Sequence, residues 1–264
     1  MRPAAAGIKM PAPLQPARIE PMSKDEIYAA GDSDPGPFEF NETVARVFPD
    51  MLRRSVPGYT ATLEAIGALA GRFVRPGTRC YDLGCSLGAA TLAMQRAIRA
   101  VDCRIIAVDK APAMVSRCRE ILAREAEPSG PPVEVVQADI RSIDVQRASM
   151  VVMNYTLQFV PVDGRSGLLT RLAAGMTDGG ILVLSEKVVD DDAEIERLLV
   201  DLHHDYKRRN AYSDLEISRK RAALENVLLP ERIGNHRQRL TDAGFRHVGV
   251  WLRQFNFVSL LAIR

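Results

Sequence analysis

The first 37 residues carry no sustained alternation of apolar and polar positions, whereas from Phe38 onward short β-branched runs alternate with longer amphipathic ones. Apolar residues recurring roughly every three or four positions mark helices, and compact apolar runs bounded by turn residues mark buried strands. On that basis the pattern predicts a helix over 60–73, a strand over 79–83, a helix over 89–99 and a strand over 104–108. It continues with a helix over 113–126, strands over 133–137 and 150–154, a helix over 166–176 and a strand over 181–185. Strands that read as near-continuous apolar runs, interleaved with helices, belong to a parallel sheet covered on both faces. Charged helical stretches follow over 191–210, 213–227 and about 231–243, the place for a lid. The chain ends in two apolar runs, 247–252 and 257–263, separated by few enough residues to pair as an antiparallel hairpin at one sheet edge.

Composition sets the limits of this picture. With 264 residues, 47% of them apolar, the chain can build one fully cored domain, or one domain plus a tail. Residues 1–37 are rich in Pro, Ala and Gly, with prolines at 3, 11, 13, 16 and 21, and predict a flexible or loosely docked leader that is dispensable for function. The catalytic domain then spans 38–264, with its helical lid at about 191–243. The leader has no apolar stretch able to act as a signal sequence or cross a bilayer, which predicts a cytoplasmic protein with no membrane association. Lys and Arg exceed Asp and Glu only 35 to 33, so nothing in the overall charge draws the chain toward nucleic acid. Cys80, Cys85, Cys103 and Cys118 lack the paired spacing of a zinc site and read as reduced thiols, so no metal is expected.

The candidate chemistry lies at strand ends. Tyr81-Asp82-Leu83-Gly84-Cys85-Ser86-Leu87-Gly88 falls where the first strand gives way to a helix, the crevice in which open α/β sheets bind ligands. Gly84 and Gly88 permit a sharp turn and close backbone approach, and Asp82 can accept a hydrogen bond from an ammonium group. Ser86 stands where a dinucleotide loop would have its second glycine, which argues against a pyrophosphate and for an adenosyl amino acid. Asp109 ends the second strand about 20–25 residues after the loop, the place from which a carboxylate reaches ribose hydroxyls, although Asp is also a common strand-end cap. Asp139, after the third strand, is placed to hold the adenine amino group and is equally suited to capping the following turn. Asn154 ends the fourth strand beside the expected sulfonium and amino acid portion, and the Asn-Tyr-Thr-Leu that it begins lacks the Pro-Pro-aromatic run of base amino-methylating enzymes.

Seven strands with a terminal hairpin match an α/β, class I methyltransferase-like Rossmann fold with a mostly parallel sheet and a helical lid insertion. More specifically, the chain resembles the carboxy-S-adenosyl-L-methionine synthase family of bacterial tRNA wobble-uridine 5-oxyacetic acid modification. The segments that carry the resemblance are Phe48-Pro49-Asp50-Met51, Arg54-Ser55-Val56-Pro57-Gly58-Tyr59, the loop from Tyr81 to Thr91, Thr156-Leu157-Gln158-Phe159 and Leu184-Ser185-Glu186-Lys187. Leu215-Glu216-Ile217-Ser218 leading to Lys220-Arg221, Glu225-Asn226-Val227 and Phe255-Asn256-Phe257 extend it over nearly everything after about residue 38. The resemblance implies that S-adenosylmethionine is a substrate, carboxy-S-adenosylmethionine the product and prephenate the co-substrate, released as phenylpyruvate. It implies cofactor contacts at Tyr59, Gly84, Cys85, Ser86, Asp109, Lys110, Asp139, Ile140 and Asn154, with Arg221 binding the added carboxylate. It also implies a homodimer that hands its product to a downstream tRNA carboxymethyltransferase, with no tRNA contact of its own.

Prephenate is a dianion, and Lys207, Arg208, Arg209, Arg219, Lys220 and Arg221 offer cations in the lid region. Charge runs on helices usually face water, so all but Arg221 are expected to be solvated. His203 and His204 are adjacent on a helix, point apart and have no acidic ligand spacing beside them, and they are left without a role. Two rivals remain: a conventional methyltransferase with the same cofactor pocket, and a noncatalytic adenosyl-binding protein that would bind ligand without turning over prephenate.

Overall fold

The computed structural model describes residues 23–29 and 36–264. Its strands are β1 (Arg79–Leu83), β2 (Arg104–Asp109), β3 (Val133–Gln137), β4 (Ala148–Asn154), β5 (Met176–Val189), β6 (Glu231–Arg232), β7 (His247–Gln254) and β8 (Phe257–Ile263). They lie in the order β3-β2-β1-β4-β5-β8-β7, parallel from β3 to β5, with β8 antiparallel to both β5 and β7 and the short β6 beside the end of β5. The mostly parallel sheet and the terminal hairpin are therefore those that the apolar pattern predicts. The helices are α1 (Glu42–Ser55), α2 (Tyr59–Phe73), α3 (Ala89–Ala97), α4 (Pro112–Glu125), α5 (Val162–Gly175), α6 (Ala193–Arg209), α7 (Asp214–Leu224) and α8 (Ile233–Asp242).

The central strands show why their sequences lack a polar face. Met150 and Val152 of β4 pack against Ile66 and Ala70 of α2 and Met94 of α3, while Val151 and Met153 pack against Leu168, Leu169 and Leu172 of α5. Successive strand residues point to opposite faces, so a strand covered on both sides is apolar at nearly every covered position, and the buried Ser149 of β4 is satisfied by the Thr78 hydroxyl at 2.7 Å. Among the described residues, no helix is long and apolar enough to cross a membrane.

Three parts of the fold depart from the sequence-based expectation. The sequence pattern places no element between Phe38 and residue 60, yet α1 occupies 42–55, capped by Asn41, whose side chain accepts the Val44 N–H at 3.1 Å. Its apolar stripe of Val44, Val47, Phe48 and Met51 packs with Leu87 and Met114, and the interior Pro49, a residue that ordinarily breaks helices, masked it. The proposed lid is also shorter than 191–243, because Leu240 of α8 joins the sheet core beside α5; from that stretch α6, α7 and Leu228 just after α7 contribute to the wall of the active-site cavity. Finally, the leader is not loose throughout. Asp25 and Tyr28 are buried, and residues 23–29 are tied to α1 and to the start of α7. The remaining leader residues, 1–22 and 30–35, lie outside the described residues.

Candidate active site

The sheet order reverses at β1, which has β2 on one side and β4 on the other, and the crevice beyond the strand ends there is the natural ligand position in such sheets. A cavity of about 710 Å³ opens at this point. Its floor is the loop after β1, where Gly84, Ser86 and Gly88 all adopt positive φ, 81°, 48° and 82°. The Gly84 and Cys85 N–H groups donate to the Val108 carbonyl at 2.8 and 2.9 Å, drawing the loop across the end of β2. A Cβ on Gly84 would lie 2.3 Å from Thr156 Oγ1, and one on Gly88 would lie 2.9 Å from Cys118 Sγ. Both glycines are thus demanded by neighbouring protein as well as by backbone conformation.

The strand-end acids take distinct roles. Asp82 is buried and accepts a 2.6 Å hydrogen bond from the Thr91 hydroxyl, and burial pushes its carboxyl up to about 6. Asp109 accepts the Ser86 N–H on one oxygen and the Ala111 N–H on the other, each at 2.9 Å, so it ties the glycine loop to the start of α4. Burial raises its carboxyl as well, opposed by those backbone donors. Asp139 is both cap and ion pair: it accepts the Arg141 N–H at 2.8 Å and the Arg141 guanidinium at 2.7 Å, which holds its carboxyl below the usual range. Asn154 presents a buried Oδ1 with no hydrogen-bond partner among the described residues, an acceptor at the cavity wall. Tyr59 stands beside Tyr155, ring centroids 6.4 Å apart, with its hydroxyl pushed well above its ordinary value by burial.

Tyr59, Asp82, Gly84, Cys85, Ser86, Asp109, Lys110, Asp139, Ile140 and Asn154 all line this one cavity. Arg221 does not. It lies exposed on α7, while its neighbour Lys220 is buried and lines the cavity. Lys187, His203 and Lys207 join Lys220 on the wall formed by the end of β5 with α6 and α7. The expectation of solvated lysines therefore fails for Lys207 and Lys220, although Arg208 and Arg209 are exposed. Burial pushes the Lys207 ammonium down to about 7, helped by the charges of Lys220, Lys187 and Arg221, and burial likewise lowers Lys187. Among the described residues neither Lys187 nor Lys207 has an ion-pair partner. His203 is a packing group: its Nε2 lies 2.8 Å from the Ser55 carbonyl, its ring 4.9 Å from Phe257, and burial lowers its pKa to about 2, so it is neutral. The spacing of His203 and Lys207, one helical turn apart, was the available signal that one face of α6 turns inward. Among the described residues no group of three or more His, Cys, Asp or Glu is placed to hold a metal ion.

A general methyltransferase domain family matches residues 81–180. The carboxy-S-adenosyl-L-methionine synthase of Photorhabdus laumondii is 54% identical over 241 residues, covering 91% of this chain and 95% of the relative. That of Geobacter sp. is 50% identical over 240 residues, covering 91% of this chain and 98% of the relative. The chain belongs to the carboxy-S-adenosyl-L-methionine synthase family. It is an enzyme of that kind, built on a class I methyltransferase-like fold. Human N-acetylserotonin methyltransferase, solved with S-adenosylmethionine, has the same fold, with a TM-score of 0.57 at 17% identity over 84% of this chain and 58% of that one. Magnesium protoporphyrin IX methyltransferase from Synechocystis superposes with a TM-score of 0.55 at 17% identity, over 81% of this chain and 87% of that one. Lys187, Lys207 and Lys220 line the same cavity as the acidic strand ends.

Proposed function

We propose that this synthase converts S-adenosylmethionine and prephenate into carboxy-S-adenosylmethionine and phenylpyruvate, in the cytoplasm. The observation that carries this reading is the pair of buried or half-buried lysines, Lys187 and Lys207, that share the cofactor cavity and, among the described residues, form no ion pair, with Glu196 the one carboxylate whose charge acts on Lys187. Ammonium groups taken out of water and set near one another are costly to keep charged, and a bound dianion relieves that cost. A methyl transfer to a neutral acceptor has no use for such a wall. The acids at the strand ends would hold the adenosyl and amino acid portions, with Asp109 toward the ribose and Asn154 Oδ1 toward an ammonium donor.

In the reaction, the positive sulfonium acidifies its methyl C–H bonds, and loss of a proton leaves an ylide carbon. Prephenate loses its ring carboxyl as carbon dioxide and its ring hydroxyl as hydroxide, and becomes aromatic. The ylide carbon bonds to the carbon dioxide, while the methyl proton and the hydroxide leave as water. A cavity roofed by α6 and α7 keeps carbon dioxide beside the ylide and water away from it. Replacing Lys207 with Met is expected to weaken prephenate binding by about 2–5 kcal/mol while S-adenosylmethionine affinity stays within a factor of about two. Calorimetry with each ligand separates the two, and equal small losses would remove the lysine wall from the reaction.

We further propose that the synthase works as a homodimer and that Arg221 clamps the new carboxylate across it, since its own cavity does not include it. A planar guanidinium meets both carboxylate oxygens with parallel hydrogen bonds, which a lysine cannot reproduce. Arg221→Lys should lose much of the preference for carboxy-S-adenosylmethionine over S-adenosylmethionine, and Arg221→Ala about 2–5 kcal/mol of it. At limiting S-adenosylmethionine, a mixed dimer of Arg221→Ala and Asp109→Ala subunits should exceed the activity of either variant alone; no gain would place Arg221 outside the partner's site. The product would pass to a separate tRNA carboxymethyltransferase for wobble-uridine modification, without tRNA contact by this chain.

A further inference from the structure

We propose that Asp25 is a positioning residue that fixes Lys220 at the cavity wall, so that residues 23–29 complete the anion-binding side of the active site. This rests on the assignment of that wall to the dianionic co-substrate. Asp25 is itself rigidly held. Its N–H donates to Asp50 Oδ2 at 2.9 Å, its carbonyl accepts from Arg54 Nη1 at 3.1 Å, and its carboxylate accepts the Tyr212 hydroxyl. The same carboxylate oxygen lies 3.5 Å from Lys220 Nζ, which also donates to Ser55 Oγ at 3.0 Å and sits 5.3 Å from the centre of the Tyr212 ring. Lys220 is thereby given one place, with Ser55 beside it on the cavity lining.

The charges around Lys220 come from every element packed on it: Asp25 from the N-terminal segment, Asp50 and Arg54 from α1, and Lys207 from α6. Asp50 is already engaged by Arg53 at 2.6 Å and Arg54 at 3.2 Å, and it makes no hydrogen bond to Lys220. Asp25 is the carboxylate in contact with the ammonium. Burial lowers Lys220 from its ordinary value to about 8, and Asp25 is the strongest influence opposing that fall. The sign follows: without the Asp25 charge, Lys220 gives up its proton at lower pH, and anion binding is lost at lower pH with it. Lys187 and Lys207 have no such tether, so Lys220 is the fixed cation of the wall.

Asp25→Asn in the full chain keeps the side-chain shape and an acceptor for Tyr212 but removes the charge. Competitive acetylation of lysines, mapped by mass spectrometry against the exposed Lys110, follows the titration of Lys220 directly. The labelling midpoint of Lys220 should fall by about one pH unit or more in Asp25→Asn and return toward wild type in Asp25→Glu. In steady-state kinetics, the high-pH fall of kcat/KM for prephenate should move down by the same amount, with KM for S-adenosylmethionine unchanged. A Lys220 midpoint that is the same in wild type and Asp25→Asn overturns the proposal whatever the kinetics show, and so does a loss of activity uniform across pH. Wild-type enzyme that forms no product from prephenate would instead refute the co-substrate assignment, while the labelling still decides the role of Asp25.

Discussion

Arg165→Met is expected to cost about 3–5 kcal/mol of stability, the largest loss from any single side chain considered for this enzyme. Arg165 is 0% exposed, yet every part of its guanidinium is engaged. It donates to the carbonyls of Val160 at 2.9 Å, Gln158 at 3.3 Å and Leu229 at 2.8 Å, and it pairs with Glu231, which Arg239 also holds at 2.8 Å. Methionine fills similar space but removes a donor from each of those carbonyls, of which Gln158 keeps the Leu229 N–H at 2.9 Å, and a buried acceptor stripped of its partner carries its full desolvation cost. The consequence reaches the active site, because Gln158, Phe159, Val160 and Pro161 line the cavity. Thermal or urea unfolding of Arg165→Met checks the expectation; a loss below about 1 kcal/mol, typical of an exposed ion pair, would contradict it.

Gly84→Ala is expected to weaken S-adenosylmethionine binding more than any other change in the glycine loop. An alanine held at φ 81° incurs strain of about 1–2 kcal/mol, and its Cβ would stand 2.3–2.4 Å from Thr156 side-chain atoms, so Thr156 must be displaced. Forcing extra volume into a packed site adds about 1–3 kcal/mol. Together these destabilise the loop by about 2–5 kcal/mol, and the Thr156 side chain pushed toward the cavity that it lines is expected to lower affinity on the order of 100-fold. Asp109→Ala should cost less, about 1.5–3 kcal/mol, through the loss of the ribose acceptor and of the carboxylate that tethers Ser86. Calorimetry on both variants orders them, and a Gly84→Ala protein that binds as wild type would show that the loop has room the geometry denies.

These sites divide between residues whose role is written in local pattern and residues whose role is set by distant chain. The sheet was legible because the middle residues of β1, β2, β4 and β5 are covered on both faces and read as short apolar runs. Asp82, Asp109 and Asp139 were legible because an acid at or just beside the end of such a run borders the crevice. Arg165, Lys207 and Lys220 were not, since a cation on a polar helix reads as solvated until the fold surrounds it. The partners that bury Arg165 lie up to 66 residues away, and the Asp25 carboxylate comes to Lys220 across 195 residues. Proline masked α1, although Asn41 and the stripe through Val44, Val47, Phe48 and Met51 were both in place. Arg221 shows the opposite case: the resemblance implies its role, and a single chain leaves it outside its own cavity.

The carboxyl donor is the central claim, and isotope transfer tests it most directly. Purified enzyme is supplied with S-adenosylmethionine and prephenate carrying carbon-13 only in the ring carboxyl, and the nucleoside product is analysed by mass spectrometry. The expected result is carboxy-S-adenosylmethionine bearing the label, formed in equal amount with unlabelled phenylpyruvate. Carboxylated product without the label, or label found only in free carbon dioxide while S-adenosylmethionine stays intact, would contradict the account.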